Sequence, residues 1–346
     1  MPLKLAIDSR KGGSDPISEI YDGLLADDMA AVHRELEAAM IPQARYLTDA
    51  EIGIYRRGKK LRPMLMVLSA RMLAGADAPP SPRVVKGAAS LEMLHVATLI
   101  HDDVIDRSMV RRGMPSVNAA RGAETAIIIG DMQFVQALRG FIDTITVPDD
   151  MELVRLVLDT AFRICCGELD ELQTDPRWDF SVLRSRYLAT IERKTSVLFG
   201  LACEAGLSLA GGRRSDCRRI GTFGRRLGDA FQIMDDVFDF LQDERQSGKP
   251  VGMDLTSRRV SLPLIYAMEE LGPNHAVTRF MRGGACDPAE LAEAIEAVKS
   301  SNAIQRAYAD ARAKALEALS YLQPFPDNRY QRALQRLTHH VVDRGY

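Results

Sequence analysis

Two stretches far apart in the chain share one spacing of acidic residues, and each closes an apolar helical run. His101-Asp102-Asp103-Val104-Ile105-Asp106 follows Ser90-Leu-Glu-Met-Leu-His-Val-Ala-Thr-Leu-Ile, which is apolar over more than two turns and free of Gly and Pro. On a helix Asp102 and Asp106 lie one turn apart on one face, with Asp103 about 100° round the shoulder. His95 and Thr98 fall on the same stripe. Asp235-Asp236-Val237-Phe238-Asp239 repeats the spacing after a second apolar stripe of Phe223, Leu227, Phe231 and Met234. One such cluster reads as a solvated helix end, but an exposed acidic patch has no reason to recur at the end of a second buried helix. Packed carboxylates repel unless a cation sits among them, and their oxygens suit a hard ion such as Mg²⁺. Two such helix ends facing each other would hold several divalent ions, and the ligand that several magnesium ions clamp is a diphosphate.

The remainder of the chain is patterned for helices. Apolar residues recur at helical spacing over 17–40, and after the basic loop Arg56-Arg57-Gly58-Lys59-Lys60-Leu61-Arg62-Pro63 a helix is expected over 64–74, with Pro63 at its first turn and Gly75 at its stop. Gly58 and Pro63 frame the loop so that several cations can point one way, as an anion site needs. Further helices are expected at 124–144, 151–173, 181–209, 215–241 and 261–271, a charged, Gly-containing loop at 243–259, and three or four helices after 274. Alternating strand patterns are nearly absent, so the fold class is all-α. Residues 1–16 read as a loose tail and 17–346 as one large helical bundle around a central cavity, since no internal linker divides them.

Composition removes several classes. A net charge of -2 gives no electrostatic case for nucleic acid. No apolar run approaches the roughly 20 residues of a membrane span, and Lys4, Asp8, Arg10 and Lys11 break up any signal-peptide core. Five cysteines, of which Cys165 and Cys166 are adjacent, show no zinc or redox spacing; they read as reduced, mostly core thiols in a cytoplasmic protein.

Taken together, Gly58-Lys59-x-x-Arg62-Pro63, both aspartate motifs, Arg111-Arg112, Lys194-Thr195, Phe231-Gln232, Gly248-Lys249 and Leu262-Pro263-Leu264 resemble, in order and over nearly the whole chain, the trans-prenyl diphosphate synthases of the polyprenyl synthetase family, with the class I isoprenoid synthase fold. The resemblance implies head-to-tail condensation of an allylic diphosphate with isopentenyl diphosphate: Mg²⁺-assisted ionisation, attack by the isopentenyl double bond on the allylic cation, and loss of a proton to the released diphosphate. It assigns Asp102, Asp103, Asp106, Asp235, Asp236 and Asp239 to the metal ions, three per site, and Arg111, Lys194 and Lys249 to the leaving-group charge. Thr195 and Gln232 would lie beside the carbocation. Lys59, Arg62, His95 and Arg112 match the metal-free site for isopentenyl diphosphate, where an arginine fork grips phosphate oxygens in pairs. Two positions depart from the family pattern. Arg57 stands for a glycine, and Arg258-Arg259 for Gly-Lys, so that Arg259 keeps the cation but changes its geometry. Asp243, one turn beyond Asp239, is expected to orient a metal-bound water.

By the same resemblance the growing chain descends beneath the first motif, past Ala97 and Thr98, about 6 to 10 Å deeper at about 1.5 Å per residue. Family members that stop at farnesyl carry a bulky aromatic there. Ala97 therefore implies a longer product, of long-chain polyprenyl or alternatively geranylgeranyl length, with Met132, Phe134, Val135 and Leu138 on a facing helix as candidate floor. A homodimer is implied by the family alone. A terpene cyclase would carry Asn, Ser or Thr and Glu in its second motif. An HD-type phosphohydrolase leaves that motif unexplained, a calcium loop needs another spacing, and a non-catalytic subunit of a heteromeric synthase typically loses one motif.

Overall fold

The helix that ends in the first aspartate motif is apolar round most of its circumference, and it folds at the centre of the molecule with one narrow accessible stripe. The computed structural model describes residues 15–74, 79–111, 113–147, 150–242, 251–285 and 287–343. Most of the expected tail, residues 1–14, as well as Arg112, Asp243, Gly248, Lys249 and Cys286, lies outside them.

The long helices are α1 (Ala26–Met40), α2 (Asp49–Arg56), α3 (Leu61–Ala74), α4 (Pro82–Ile105), α5 (Ala123–Ile142), α6 (Met151–Leu172), α7 (Phe180–Ile191), α8 (Val197–Leu209), α9 (Arg214–Leu241), α10 (Leu262–Leu271), α11 (Pro288–Ser300), α12 (Ala303–Leu322) and α13 (Arg329–Asp343). Pro82 starts α4 at the position where its missing N–H costs nothing. Along α4, Ala88, Leu91, Leu94, Val96 and Ala97 are all fully buried, enclosed by α1, α3, α5 and α8. Helix α8 is buried almost throughout. It crosses α3 so closely that a Cβ on Gly206 would lie 2.2 Å from the Met66 carbonyl oxygen. Helix α9 is amphipathic: Ile220, Phe223, Leu227 and Ala230 are fully buried between α8 and α12. The buried apolar side chains form one continuous cluster from Ile17 to Val342.

Several local features were not legible in the sequence, among them a π-turn, Ile20–Leu24, that interrupts the helix expected over 17–40. The expected helix over 181–209 is interrupted by a π-turn, Glu192–Ser196, between α7 and α8. The stretch after the first motif, read as a linker, forms a two-stranded hairpin in which β1 (Val110–Arg111) pairs antiparallel with β2 (Met114–Pro115). The cysteines are also less uniformly internal than expected, since Cys203 and Cys217 are buried but Cys165 is exposed.

Candidate active site

Asp102 lies in the last turn of α4, and Asp106 caps that helix. Their stripe, with His95, Thr98 and Leu99, is the partly accessible face of an otherwise buried helix. On α9 the stripe Phe231, Gln232, Asp235 and Asp239 is accessible in the same way. Between the two helix ends stand Lys194 and Arg259, and they are the charges that connect the motifs. Lys194 Nζ pairs with Glu168 Oε2 at 2.6 Å and Glu171 Oε2 at 2.5 Å. Arg259 Nε donates to Glu171 Oε1 at 2.8 Å. Burial works against both cations, but Asp102 and Glu171 beside Lys194, and Glu171, Asp254, Asp236 and Asp106 beside Arg259, hold each above its ordinary pKa. Arg259 thus feels acidic groups of both motifs, which places them on one cleft.

Among the described residues, the acidic groups of the cleft outnumber its cations. Burial, with Glu168, Asp106 and Glu171 adding repulsion that Lys194 only partly offsets, pushes Asp102 up to about 7. Burial and the neighbouring Asp236 push Asp254 well above the carboxylate range. A cluster of hard oxygen donors with too few cations has the chemistry of a divalent-metal site. Among the described residues, no three His, Cys, Asp or Glu side chains form a ready-made cage around one point. Mg²⁺ is commonly held by one or two carboxylates together with substrate phosphates.

Three of the six aspartates assigned to metal also have partners within the protein. Asp103 is buried, 3% exposed, and its Oδ1 accepts from both Nε (2.9 Å) and Nη2 of Arg111. This pair docks the hairpin onto α4 and occupies the guanidinium that the sequence assigned to a leaving group. Asp236, 5% exposed, accepts from Tyr187 Oη at 2.6 Å and from Gln232 Nε2 at 2.9 Å. Gln232 Oε1 in turn accepts from Thr195 Oγ1 at 2.9 Å. The line Tyr187–Asp236–Gln232–Thr195 fixes the side chains expected beside the reacting carbon. Asp239 accepts from the backbone N–H groups of Met253 (3.1 Å) and Asp254 (2.9 Å) at the start of a short helical turn, where a carboxylate suits the unpaired amides.

The basic loop divides its cations. Lys60 adopts φ 47 and turns inward, its Nζ 3.1 Å from Glu92 Oε1 with side chains only 1% and 3% exposed. This buried pair anchors the loop to α4. Lys59 stays exposed. Arg62 Nη1 donates to His95 Nε2 at 3.0 Å, which requires that nitrogen to be unprotonated. The Arg62 guanidinium also lies 4.8 Å above the Phe199 ring, and Phe199 packs 5.2 Å from Phe231. Arg62 and His95 therefore form one unit, as the sequence pattern requires.

The chain-length positions separate. Ala97 is fully enclosed, whereas Thr98 and Met132 are half-buried. Thr98, whose hydroxyl donates to the His95 carbonyl at 2.8 Å, is the one on the accessible stripe of α4. Glu168, Glu171, Tyr187 and Asp254 were missed by the sequence argument. The spacing Gly167-Glu168-Leu169-Asp170-Glu171, with Glu168 and Glu171 one turn apart after a glycine, was the available signal.

A sequence profile described as Polyprenyl synthetase matches residues 45–298. The chain is 33% identical over 323 residues to the heptaprenyl diphosphate synthase component 2 of Geobacillus stearothermophilus, covering 93% of this chain and 97% of that protein. It is 31% identical over 334 residues to the nonaprenyl diphosphate synthase of Mycobacterium tuberculosis, covering 96% and 97%. Its fold is similar to the crystal structure of a polyprenyl synthase from Caulobacter crescentus complexed with calcium and isoprenyl diphosphate, with a TM-score of 0.83 at 31% identity over 97% and 99% of the two chains.

Proposed function

Because the chain belongs to the polyprenyl synthetase family, we propose that the cleft between α4 and α9 joins an allylic diphosphate to isopentenyl diphosphate and makes a long-chain polyprenyl diphosphate. The enzyme is a prenyltransferase; relatives named as heptaprenyl and nonaprenyl diphosphate synthases support the long-chain product, while a short-chain isoprenyl diphosphate synthase, 32% identical, keeps geranylgeranyl length as the alternative. The observation that supports the reading is the set of contacts in which Glu171 bridges Lys194 and Arg259 and Thr195–Gln232–Asp236 ties that segment to the second motif, with acidic groups of both motifs beside Arg259.

Asp102, Asp106, Asp235 and Asp239 would hold divalent metal, proposed as three Mg²⁺ ions. When bound, the metal neutralises the charge that gathers on the departing diphosphate. Lys194 and Arg259 add fixed positive charge on the same side, aimed by Glu168 and Glu171. Thr195 and Gln232 turn their dipoles toward the allylic carbon, each held by a hydrogen bond rather than left to rotate. Lys59, Arg62 and His95 bind the second diphosphate on the other side of the α4 stripe, and Arg111 serves this half by positioning Asp103 and the hairpin. Arg112 and Lys249 keep the roles that the family pattern gives them.

The homodimer is proposed on a surface observation. Ile128, Val135 and Ile142 recur every seventh residue on α5 at 66%, 64% and 51% exposure, and Phe162, Leu169 and Leu172 on α6 are 72%, 55% and 60% exposed. Apolar stripes of this size on adjacent helices mark an interface. Because one relative is named as component 2 of its synthase, a heteromeric partner is the second reading. Among the described residues no helix is long and apolar enough to cross a membrane.

The test is to incubate the purified protein with isopentenyl diphosphate, Mg²⁺ and each of dimethylallyl, geranyl and farnesyl diphosphate, with products read by mass and the particle mass by light scattering. Chains longer than farnesyl from a dimer support the proposal. A dimer that releases no diphosphate with any primer overturns it.

A further inference from the structure

Thr195 and Lys194 sit on a π-turn, a conformation that is rare and is kept where surrounding structure supports it. The support here comes from three sides. A Cβ on Gly167 of α6 would lie 2.6 Å from the Lys194 backbone nitrogen, and one on Gly228 of α9 would lie 2.6 Å from Ser196 Cα. The turn is therefore squeezed between two glycines that let neighbouring helices approach its backbone. On the third side Ser196 Oγ donates to Asp229 Oδ1 at 2.6 Å, with the two residues 0% and 3% exposed.

Asp229 is a costly residue to bury unless it is held. Its other oxygen, Oδ2, accepts from Arg226 Nη1 at 3.0 Å and lies 3.9 Å from Lys314 Nζ. Arg226 Nε donates to Glu317 Oε1 at 2.7 Å. Lys314 and Glu317 belong to α12, which follows the 45–298 stretch matched by the family profile. Asp229 and Gln232, one turn apart on α9, grip adjacent residues of the π-turn, Ser196 and Thr195. A grip at two consecutive positions fixes the rotation of the turn about its own axis, which one bond alone would leave free.

We propose that Ser196 and Asp229 are positioning residues that lock the π-turn so that Thr195 and Lys194 face the reacting diphosphate, with Arg226 and α12 holding the outer end of the latch. The inference rests on the roles given to Thr195 and Lys194 above. No step of the reaction passes through Ser196 or Asp229 themselves.

The experiment is steady-state prenyl transfer by the full-length protein and by Ser196→Ala, Asp229→Ala, Asp229→Asn and the double Ala variant. Circular dichroism and thermal melts would confirm the folded fraction. Misplacement of a group by about 1 Å costs up to about 100-fold, so kcat is expected to fall about 10- to 100-fold in either single Ala variant, while KM for isopentenyl diphosphate stays within about twofold. The double variant loses no more than Asp229→Ala alone, because Ser196→Ala removes only a contact that Asp229→Ala has already removed. Asp229→Asn keeps an acceptor for Ser196 but turns an amide donor toward Arg226 and Lys314, so it loses only the outer hold and keeps a kcat above that of Asp229→Ala, which also covers the case in which Asp229→Ala does not fold. Folded single variants with wild-type kcat, losses that multiply in the double variant, or an Asp229→Asn enzyme as slow as Asp229→Ala would each overturn the latch. A wild-type protein that transfers no prenyl group would instead overturn the functional reading on which it stands.

Discussion

Tyr187→Phe isolates one bond of the candidate site. The hydroxyl donates to Asp236 Oδ2 at 2.6 Å, and the two residues are each 5% exposed. Phenylalanine keeps the ring and its volume, so no cavity opens and the change is that of the hydrogen bond alone. A hydrogen bond to a buried charged group contributes about 1.5–3 kcal/mol. Asp236 keeps its bond from Gln232 Nε2 at 2.9 Å, which argues for the lower part of that range, about 2 kcal/mol. One kcal/mol shifts the midpoint by about 2–4 °C in chains of 150–250 residues and by less in longer ones, so Tm should fall roughly 3–6 °C by calorimetry. Catalysis should follow, because Asp236 is what holds Gln232, and Gln232 is what holds Thr195. With both partners less constrained, kcat should drop several-fold to about tenfold. KM for isopentenyl diphosphate should not change, since Arg62 and His95 do not touch this line. An unchanged midpoint together with an unchanged kcat would refute the claim that Tyr187 positions the second motif.

Asp102→Asn and Asp235→Asn should each abolish turnover at millimolar Mg²⁺ while leaving the melt near wild type, because both side chains lie on the accessible stripes of their helices; residual activity above about 1% in either would argue against its role with metal. Thr98→Phe should shorten the product distribution in mass spectra, since Thr98 shares the accessible stripe with Asp102. Ala97→Phe should chiefly destabilise, at about 1–3 kcal/mol or more, because its site is fully packed. For pH, hydrogen bonds from Arg184 and Arg306 outweigh burial and hold Glu269 below its ordinary 4.5. A depressed carboxylate contributes stability above the unfolded pKa and loses it as pH falls through the folded one. The wild-type Tm should therefore drop more steeply below pH 4.5 than that of Glu269→Gln, and parallel curves would show that this tie among α7, α10 and α12 contributes nothing.

Much of the architecture was legible because its cause is local. Asp102 and Asp106 are four residues apart, as are Asp235 and Asp239, and helical spacing puts each pair on one face whatever else the chain does. The start of α3 near Pro63 and its end at Ala74, before Gly75, follow from the chemistry of Pro and Gly. That Arg62 and His95, 33 residues apart, lie within a 3.0 Å hydrogen bond of each other is by contrast a matter of tertiary packing. The π-turn between α7 and α8 was not legible, since an apolar run reads the same for α- and π-windings, and the extra residue is accommodated only because Gly167 and Gly228 let two other helices close on it. Nor could spacing show which aspartates are engaged by side chains from other parts of the chain. Asp103 and Asp236 share a motif with Asp102 and Asp235, but Arg111 and Tyr187, brought from elsewhere in the chain, engage them.

The sequence by itself determined that this chain is helical and that two acidic helix ends need cations, because periodicity and like-charge repulsion act over a few residues. Only the tertiary structure decided that Arg111 reaches Asp103 and Tyr187 reaches Asp236, that Glu168 and Glu171 hold Lys194 and Arg259 between them, and that Asp229 reaches Ser196. Such pairings depend on distances between segments tens of residues apart, and those distances exist only once the core around α4 has packed.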